Sequence, residues 1–193
     1  TASSGSPMVV DLNGHNLTVT GEGERVINSV YVDASKHIQI KNSNPDKTFT
    51  ITAKPTDTRG VVGINMGSNY SSLSVEGPTI ISDLGTTDSS TAYGISVMGD
   101  NTSAAFDGPL TVHNVENKSR RRTASIPGAA GIKVAGENSS VTVDGLVDMA
   151  GITGAALHVS DKGAVINIGG GSIKAPEVAN GENYSAGQVD QGT

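Results

Sequence analysis

The sequence predicts an all-β protein, a parallel β-helix of roughly six coils, because short repeated strand units of this size form solenoids. First, a unit of short apolar alternations recurs with spacings of 31, 37 and 25 residues, counted between Ile64, Ile95, Ile132 and Leu157. Second, no window places apolar residues at i, i+3, i+4 and i+7, while β-branched residues, glycine and asparagine dominate. Helical repeats are therefore excluded.

The clearest copy of the unit runs from Gly131 to Gly151, GIKVAGENSSVTVDGLVDMAG. Its three alternating segments are separated by a Gly-Glu-Asn turn and by Asp144-Gly145. Such short strands lack partners for their backbone groups and their apolar faces, so we expect them to stack in parallel about 4.8 Å apart. Stacking places like residues in inward columns. One column is Ile64, Ile95, Ile132 and Leu157; a second is Val75, Phe106, Val143 and Ile168; Val134 and Val159 also point inward.

Taken in order, residues 1–7 are predicted to be a flexible leader, residues 8–175 the β-helix, and residues 176–193 an irregular tail or the start of a further coil. The alternation is irregular before residue 63 and clear from there to Ile168, with a slip of one residue near Ile173. The unequal spacings are explained if one corner carries loops of different length. These loops are predicted at Asp83–Ala92 and Val115–Ala130.

The composition suits a narrow tube and excludes several classes of protein. Apolar residues make up 35% of the 193, with only four tyrosines, two phenylalanines and no tryptophan. The net charge of −6 argues against nucleic-acid and anionic-membrane binding. No apolar run approaches the roughly 18 residues of a membrane span. No signal peptide is visible at Thr1, so a mature or excised chain is expected. Cysteine is absent, which is compatible with secretion.

The chain resembles the passenger region of a Gram-negative autotransporter. The resemblance rests on VVDLNGHNLTVTG near the start and on the later G-I-x-V-x-G-x-N-S-S-V-T-V-D-G units, and it covers residues 8–175. It is closest in style to the AIDA and pertactin kind of type V secreted proteins. The resemblance implies a right-handed parallel β-helix, a fragment of a longer passenger that is displayed outside the outer membrane for adhesion or self-association. The family's C-terminal barrel and autochaperone region have no counterpart in these residues.

No catalytic or metal site is predicted, and no cofactor is expected. The four histidines lie in different coils and are interpreted as solvated outer-face residues: His15, His37, His113 and His158. Polysaccharide-cleaving β-helix enzymes need carboxylates converging on one outer face. The outward row that includes Ser96 holds no acid; its members are Tyr31, Asn65, Ser96, Lys133 and His158. The sequence therefore favours a protein that is not an enzyme.

One acidic column leaves two interpretations open. Glu76, Asp107 and Asp144 each precede a glycine at the same place in the unit. Tight-turn chemistry explains such pairs, because Asp-Gly favours turns with positive φ. A weak calcium site is the second interpretation, because hard cations take several carboxylate oxygens.

The candidate ligand-binding residues are Lys118, Arg120, Arg121 and Arg122, with Tyr93 in the preceding coil. The four cations are either a solvated loop or an anion-binding patch, and the Tyr93 ring would add a sugar-stacking face. The leading functional hypothesis is a cell-surface adhesin that binds host or neighbouring-cell ligands, including anionic glycans. The alternative is a self-associating or structural stalk, and a polysaccharide lyase or hydrolase is the third hypothesis.

Overall fold

The computed structural model describes residues 6–23, 26–55, 60–86, 91–117, 128–174 and 187–189, and these residues form β-strands and turns without a helix. The strands are short, as the repeat unit predicts. In chain order they are β1 (Met8–Asp11), β2 (Leu17–Gly23), β3 (Val26–Tyr31), β4 (His37–Lys41), β5 (Phe49–Pro55), β6 (Gly60–Met66), β7 (Ser72–Val75), β8 (Thr79–Thr86), β9 (Thr91–Val97), β10 (Ser103–Phe106), β11 (Leu110–Asn117), β12 (Ala129–Val134), β13 (Ser140–Ile152), β14 (Ala155–Val159), β15 (Val165–Ile173) and β16 (Gly187–Val189).

All strand pairs given by the described residues are parallel, and they form two sheets. The larger sheet has ten strands and contains two ladders, β1-β4-β7-β10 and β2-β5-β8-β11, which meet at the long strand β13 and continue to β15. The smaller sheet has six strands in the order β3-β6-β9-β12-β14-β16. The chain thus contributes one strand to each of three ladders in turn, and each strand pairs with its counterpart in the next repeat. We call each such set of strands a layer.

The predicted columns are confirmed by the register of the ladders. Ile95 pairs with Ile64 on one side and with Ile132 on the other, and Ile132 pairs with Leu157. Phe106 lies between Val75 and Val143, and Val143 pairs with Ile168. Most of these side chains are fully buried in one continuous core, against which Leu157, Val159 and Ile168 pack half-buried. Parallel stacking of like residues is what fills the space between the two sheets.

The predicted loops at 83–92 and 115–130 are wrong in their first part, because β8 and β11 continue into them. Asp83, Asn114 and Gly151 are in register and have positive φ values of 59°, 55° and 68°. This conformation bends each strand without ending it, and the side-chain amide of Asn114 donates to Asp83 Oδ1 at 2.9 Å. The next residues return to the core as a buried column of Leu84, Val115 and Ile152.

A second row of positive φ values lies in the turns that precede β4, β7, β10, β13 and β15. Its members are Ser35, Tyr70, Asn101, Asn138 and Gly163, with φ between 52° and 71°. Adjacent turns are joined by backbone hydrogen bonds, such as Tyr70 N to Asp100 O at 2.9 Å and Asn101 N to Glu137 O at 2.8 Å. The turns therefore stack in register like the strands.

The stacking loosens toward the end of the repeats. The register of β13 against β15 shifts between Val143 and Leu146, after which Met149 pairs with Ile173. The predicted slip is present, but it lies at this corner, before Ile173. Beyond it, the short strand β16 pairs with β14 and lies within the 176–193 segment.

Close approach of backbones explains a column of glycines in the smaller sheet. A Cβ atom on Gly94 would lie 2.5 Å from the carbonyl oxygen of Gly131 and 2.8 Å from Val112 Cγ1. Gly63 and Gly131 have similar surroundings in the adjacent layers. Two successive residues, such as Gly63 and Ile64, therefore both face inward, and the sheet bends around the core at this point.

Candidate functional site

The basic run lies outside the described residues, so the prediction for Lys118, Arg120, Arg121 and Arg122 stays a prediction. Tyr93 is described and lies in β9, on the outward face of the smaller sheet.

Tyr93 is paired with Lys133 of the next layer. Lys133 Nζ lies 4.9 Å from the centroid of the Tyr93 ring and donates to the phenol oxygen at 3.4 Å. Burial lowers the pKa of Lys133, and the nearby charge of Asp161 acts in the opposite direction. Burial also raises the pKa of Tyr93. Both groups therefore favour their neutral forms more than they would in water.

In the middle layers the residues on this outward face are buried, which the sequence did not predict. Alternation correctly places Ser96, Lys133 and His158 outward and in register. Yet they are 1%, 9% and 3% exposed, and Val62, Tyr93 and Ala130 form a separate buried apolar cluster beside them. The interpretation of His158 as a solvated histidine is therefore wrong. Alternation identifies the face on which a residue lies, but not whether other chain covers that face.

The expected role of Tyr93 needs the same correction. Its side chain is 4% exposed, and Lys133 lies over its ring. A ring in this position does not present an open face to a sugar. Ser96, next to Lys133 in the row, has a buried hydroxyl that makes no hydrogen bond among the described residues.

The same row is open at its other end, where the exposed Tyr31 contacts the turn that carries a second exposed tyrosine, Tyr70. Tyr31 in β3 is 49% exposed, and its hydroxyl lies 3.2 Å from Ser68 Oγ. Tyr70, two residues after Ser68, is 62% exposed, and Met98 in the following layer is 49% exposed. Asn65, between Tyr31 and Ser96 in the row, donates to Asn28 Oδ1 at 2.9 Å. Tyr70 was not predicted as a site residue, although alignment of GSNYSS with GENSS places it at the Asn138 position.

The acidic column lies where the backbones of adjacent layers approach closely. A Cβ on Gly108 would touch the backbone of Gly77, and one on Gly145 would touch the backbone of Gly108. Positive φ occurs at Gly77 only, so the other two glycines serve close backbone approach rather than turn conformation. Glu76, Asp107 and Asp144 precede these glycines, and Glu76 Oε1 accepts from Gln39 at 3.3 Å. In the part of the chain that the structure describes, no three His, Cys, Asp or Glu side chains converge to hold a metal ion.

The histidines of the larger sheet make separate polar contacts. His113 Nε2 lies 3.1 Å from Asp148 Oδ2, with both side chains well exposed, and His37 Nδ1 lies 2.7 Å from Ser72 Oγ. Ser82 is in register with His113, but its hydroxyl donates to Asp83 Oδ2 at 2.9 Å. His15 is exposed. Ser82, His113 and Asp148 thus include the residue types of a Ser-His-Asp set, but the serine hydroxyl is bonded to Asp83 instead.

No protein-family model, no curated protein and no solved structure matches this chain. Within the described ranges, no helix has the length and apolar character needed to cross a bilayer.

Proposed function

We propose that this chain is part of an autotransporter passenger, a right-handed parallel β-helix of roughly six coils displayed at the outer-membrane surface of a Gram-negative bacterium. In this proposal it is a cell-surface adhesin that binds host or neighbouring-cell ligands, and it is not an enzyme. The observation that carries the proposal is the continuous register of the three ladders. Because the ladders are in register, a chain with few aromatic residues presents a regular surface of outward rows and turns.

The outward residues support binding rather than catalysis. Acid–base chemistry needs at least two groups held within reach of one bond. His113 and Asp148 form an isolated exposed pair, and the Lys133–Tyr93 pair is buried. Among the described residues, the acidic column does not converge with other His, Cys, Asp or Glu side chains. An extended surface of this kind suits recognition of a repeated or multivalent ligand.

The basic run supports an anionic ligand within this function. Lys118, Arg120, Arg121 and Arg122 concentrate positive charge in five residues of a chain with net charge −6. Arginines engage sulfate and carboxylate groups in bidentate fashion. Changing the three arginines to serine is expected to abolish heparin retention at low salt. Equal retention of the variant and the wild type would contradict a role for this run.

A structural or self-associating stalk is the second candidate, and one observation favours it. The outward row of Ser72, Ser103 and Ser140 lies beside a second row of Ser74, Ala105 and Thr142. These small side chains make a flat face through which two copies could pair.

Beads coated with the chain can separate the two functions. An adhesin is expected to retain beads on host or bacterial cells while the beads remain dispersed on their own. Bead-to-bead clumping without retention on cells would favour the stalk. Release of oligosaccharides from host glycans or pectin would contradict both and favour an enzyme.

A further inference from the structure

Tyr70 occupies a backbone conformation that its residue type disfavours. Its φ is 58°, in the left-handed region, where a bulky residue is a genuine outlier. The equivalent turn positions in the other layers carry Ser35, Asn101, Asn138 and Gly163. Asparagine and glycine adopt this conformation readily, because asparagine can bond its own backbone and glycine has no Cβ. Tyrosine is therefore the unusual member of this row.

Core packing does not compensate for the strain at Tyr70. The side chain is 62% exposed, so little of the ring is buried against its neighbours. The backbone bond from Tyr70 N to Asp100 O, at 2.9 Å, is matched by the Asn101 N to Glu137 O bond in the next layer. That bond does not depend on the tyrosine side chain. A left-handed conformation at a residue with a Cβ lowers the folding equilibrium constant by roughly tenfold.

The surroundings of Tyr70 form a surface with both aromatic and polar groups. Tyr31 contacts Ser68 through its hydroxyl and is 49% exposed. The half-buried Asn65 lies next to Tyr31 in the outward row. Asp33 and Asp100 lie in the flanking turns together with Lys36, so the local charge has no positive excess.

We propose that Tyr31 and Tyr70 form a platform on which the apolar C–H face of a neutral pyranose stacks, with Asn65 and Ser68 contacting the sugar hydroxyls. Tyrosine rings are amphipathic and rigid, and they supply contact area at low entropic cost. The absence of excess positive charge favours a neutral sugar over a sulfated one at this place. The inference rests on the proposed adhesin function and names the ligand class that this end of the smaller sheet binds.

The decisive variant is Tyr70→Asn, which installs the residue of the Asn101 and Asn138 positions. The inference requires two opposite effects. The folding equilibrium constant should rise severalfold, because asparagine adopts the left-handed conformation more readily than tyrosine does. Affinity for the sugar should fall at least tenfold because the stacking ring is lost. The second variant, Tyr31→Asn, introduces the residue type that Asn65 supplies at the next position of the row. It should lose sugar binding with little change in stability.

The reciprocal control is Asn138→Tyr, which places tyrosine at the same turn position in a layer without an equivalent of Tyr31. It should lower stability and leave sugar binding unchanged. The binding probe is a printed array of neutral and acidic oligosaccharides, followed by titration of the strongest neutral hit while tyrosine fluorescence is recorded. Urea unfolding gives the stability of each variant.

The outcomes separate this inference from the adhesin function. The inference is supported if the wild type binds a neutral sugar, and if Tyr70→Asn abolishes this binding and is more stable than the wild type. It is overturned if Tyr70→Asn binds the hit as the wild type does, or if the variant is less stable. Retention of the wild type on cells without binding of any neutral oligosaccharide overturns the inference and leaves the adhesin function standing. A wild type that binds neither cells nor oligosaccharides overturns both.

Discussion

The contribution of a buried side chain to stability depends on whether it matches the other side chains of its column. Thr79 pairs with Phe49 and Leu110 in an otherwise apolar inward column, and its buried hydroxyl makes no hydrogen bond among the described residues. Thr102 is equally buried, but its hydroxyl donates to the carbonyl oxygens of Ser68 at 3.0 Å and Asp100 at 3.2 Å. The two threonines thus differ in hydrogen bonding and share their burial.

We expect Thr79→Val to raise the free energy of unfolding by about 1 kcal/mol, because an unpartnered buried hydroxyl is costly. Thr102→Val is the matched control and should lower it by about 1–3 kcal/mol, because buried carbonyl groups lose their donor. Urea unfolding of both variants measures the difference. Destabilisation by Thr79→Val would show that its hydroxyl has a partner in solution.

Lys133 makes the stability of the chain depend on pH. Burial lowers its pKa from the ordinary value of 10.5, so between the two values the unfolded chain binds more protons than the folded one. The free energy of unfolding contributed by Lys133 therefore rises with pH through that window. Tyr93, whose pKa burial raises above 10.0, acts in the opposite direction at higher pH.

Lys133→Met should remove this dependence. The free energy of unfolding of the wild type, minus that of the variant, is expected to increase as pH rises from about 7 to about 10. The measurement is urea unfolding at several pH values, kept below the titration of Tyr93. Parallel pH profiles of the two proteins would contradict a lowered pKa at Lys133.

At the scale of elements, the sequence predicts the strands well and their ends poorly. Alternation around Ile95 and Ile132 identifies both the strands and their partners, because a period of two fixes the inward face. The loops predicted to begin at Asp83 and at Val115 begin too early, because Asp83 and Asn114 have positive φ without ending their strands. Here they bend a continuing strand, and the signal that could have shown this was the apolar residue that directly follows each of them, Leu84 and Val115.

The glycines distinguish strand positions that need close backbone approach from those that do not. Gly94→Ala should lower the free energy of unfolding by about 1–3 kcal/mol or more, because its Cβ would collide with Gly131 and Val112. Gly85→Ala is the control, since nothing lies within 4 Å of its Cβ position. It should change stability by less than about 0.5 kcal/mol. Thermal unfolding compares the two, and equal effects would contradict the close stacking at Gly94.

At the scale of the whole molecule, repetition made the core predictable and left the functional surface largely undetermined. The columns through Phe106 and Ile132 follow from spacing alone, because each layer must match the next. The exposure of His158 and Tyr93 depends on what covers the outward face, and the repeat carries no information about that. The strain at Tyr70 is visible in the sequence only as a mismatch with Asn101 and Asn138.

The register of the layers determines which side chains can meet, so every contact between layers depends on it. The chain contains no cysteine, so spin labels can be attached at Gln39→Cys and Asn167→Cys alone. These positions are linked through Ser74, Ala105 and Thr142 by successive register pairs. Four steps of about 4.8 Å predict a separation of about 19 Å, although the residues are far apart in sequence. A single narrow distance near that value, measured by double electron–electron resonance, is the predicted result. A distance beyond about 30 Å, or a broad distribution, would contradict the stacking.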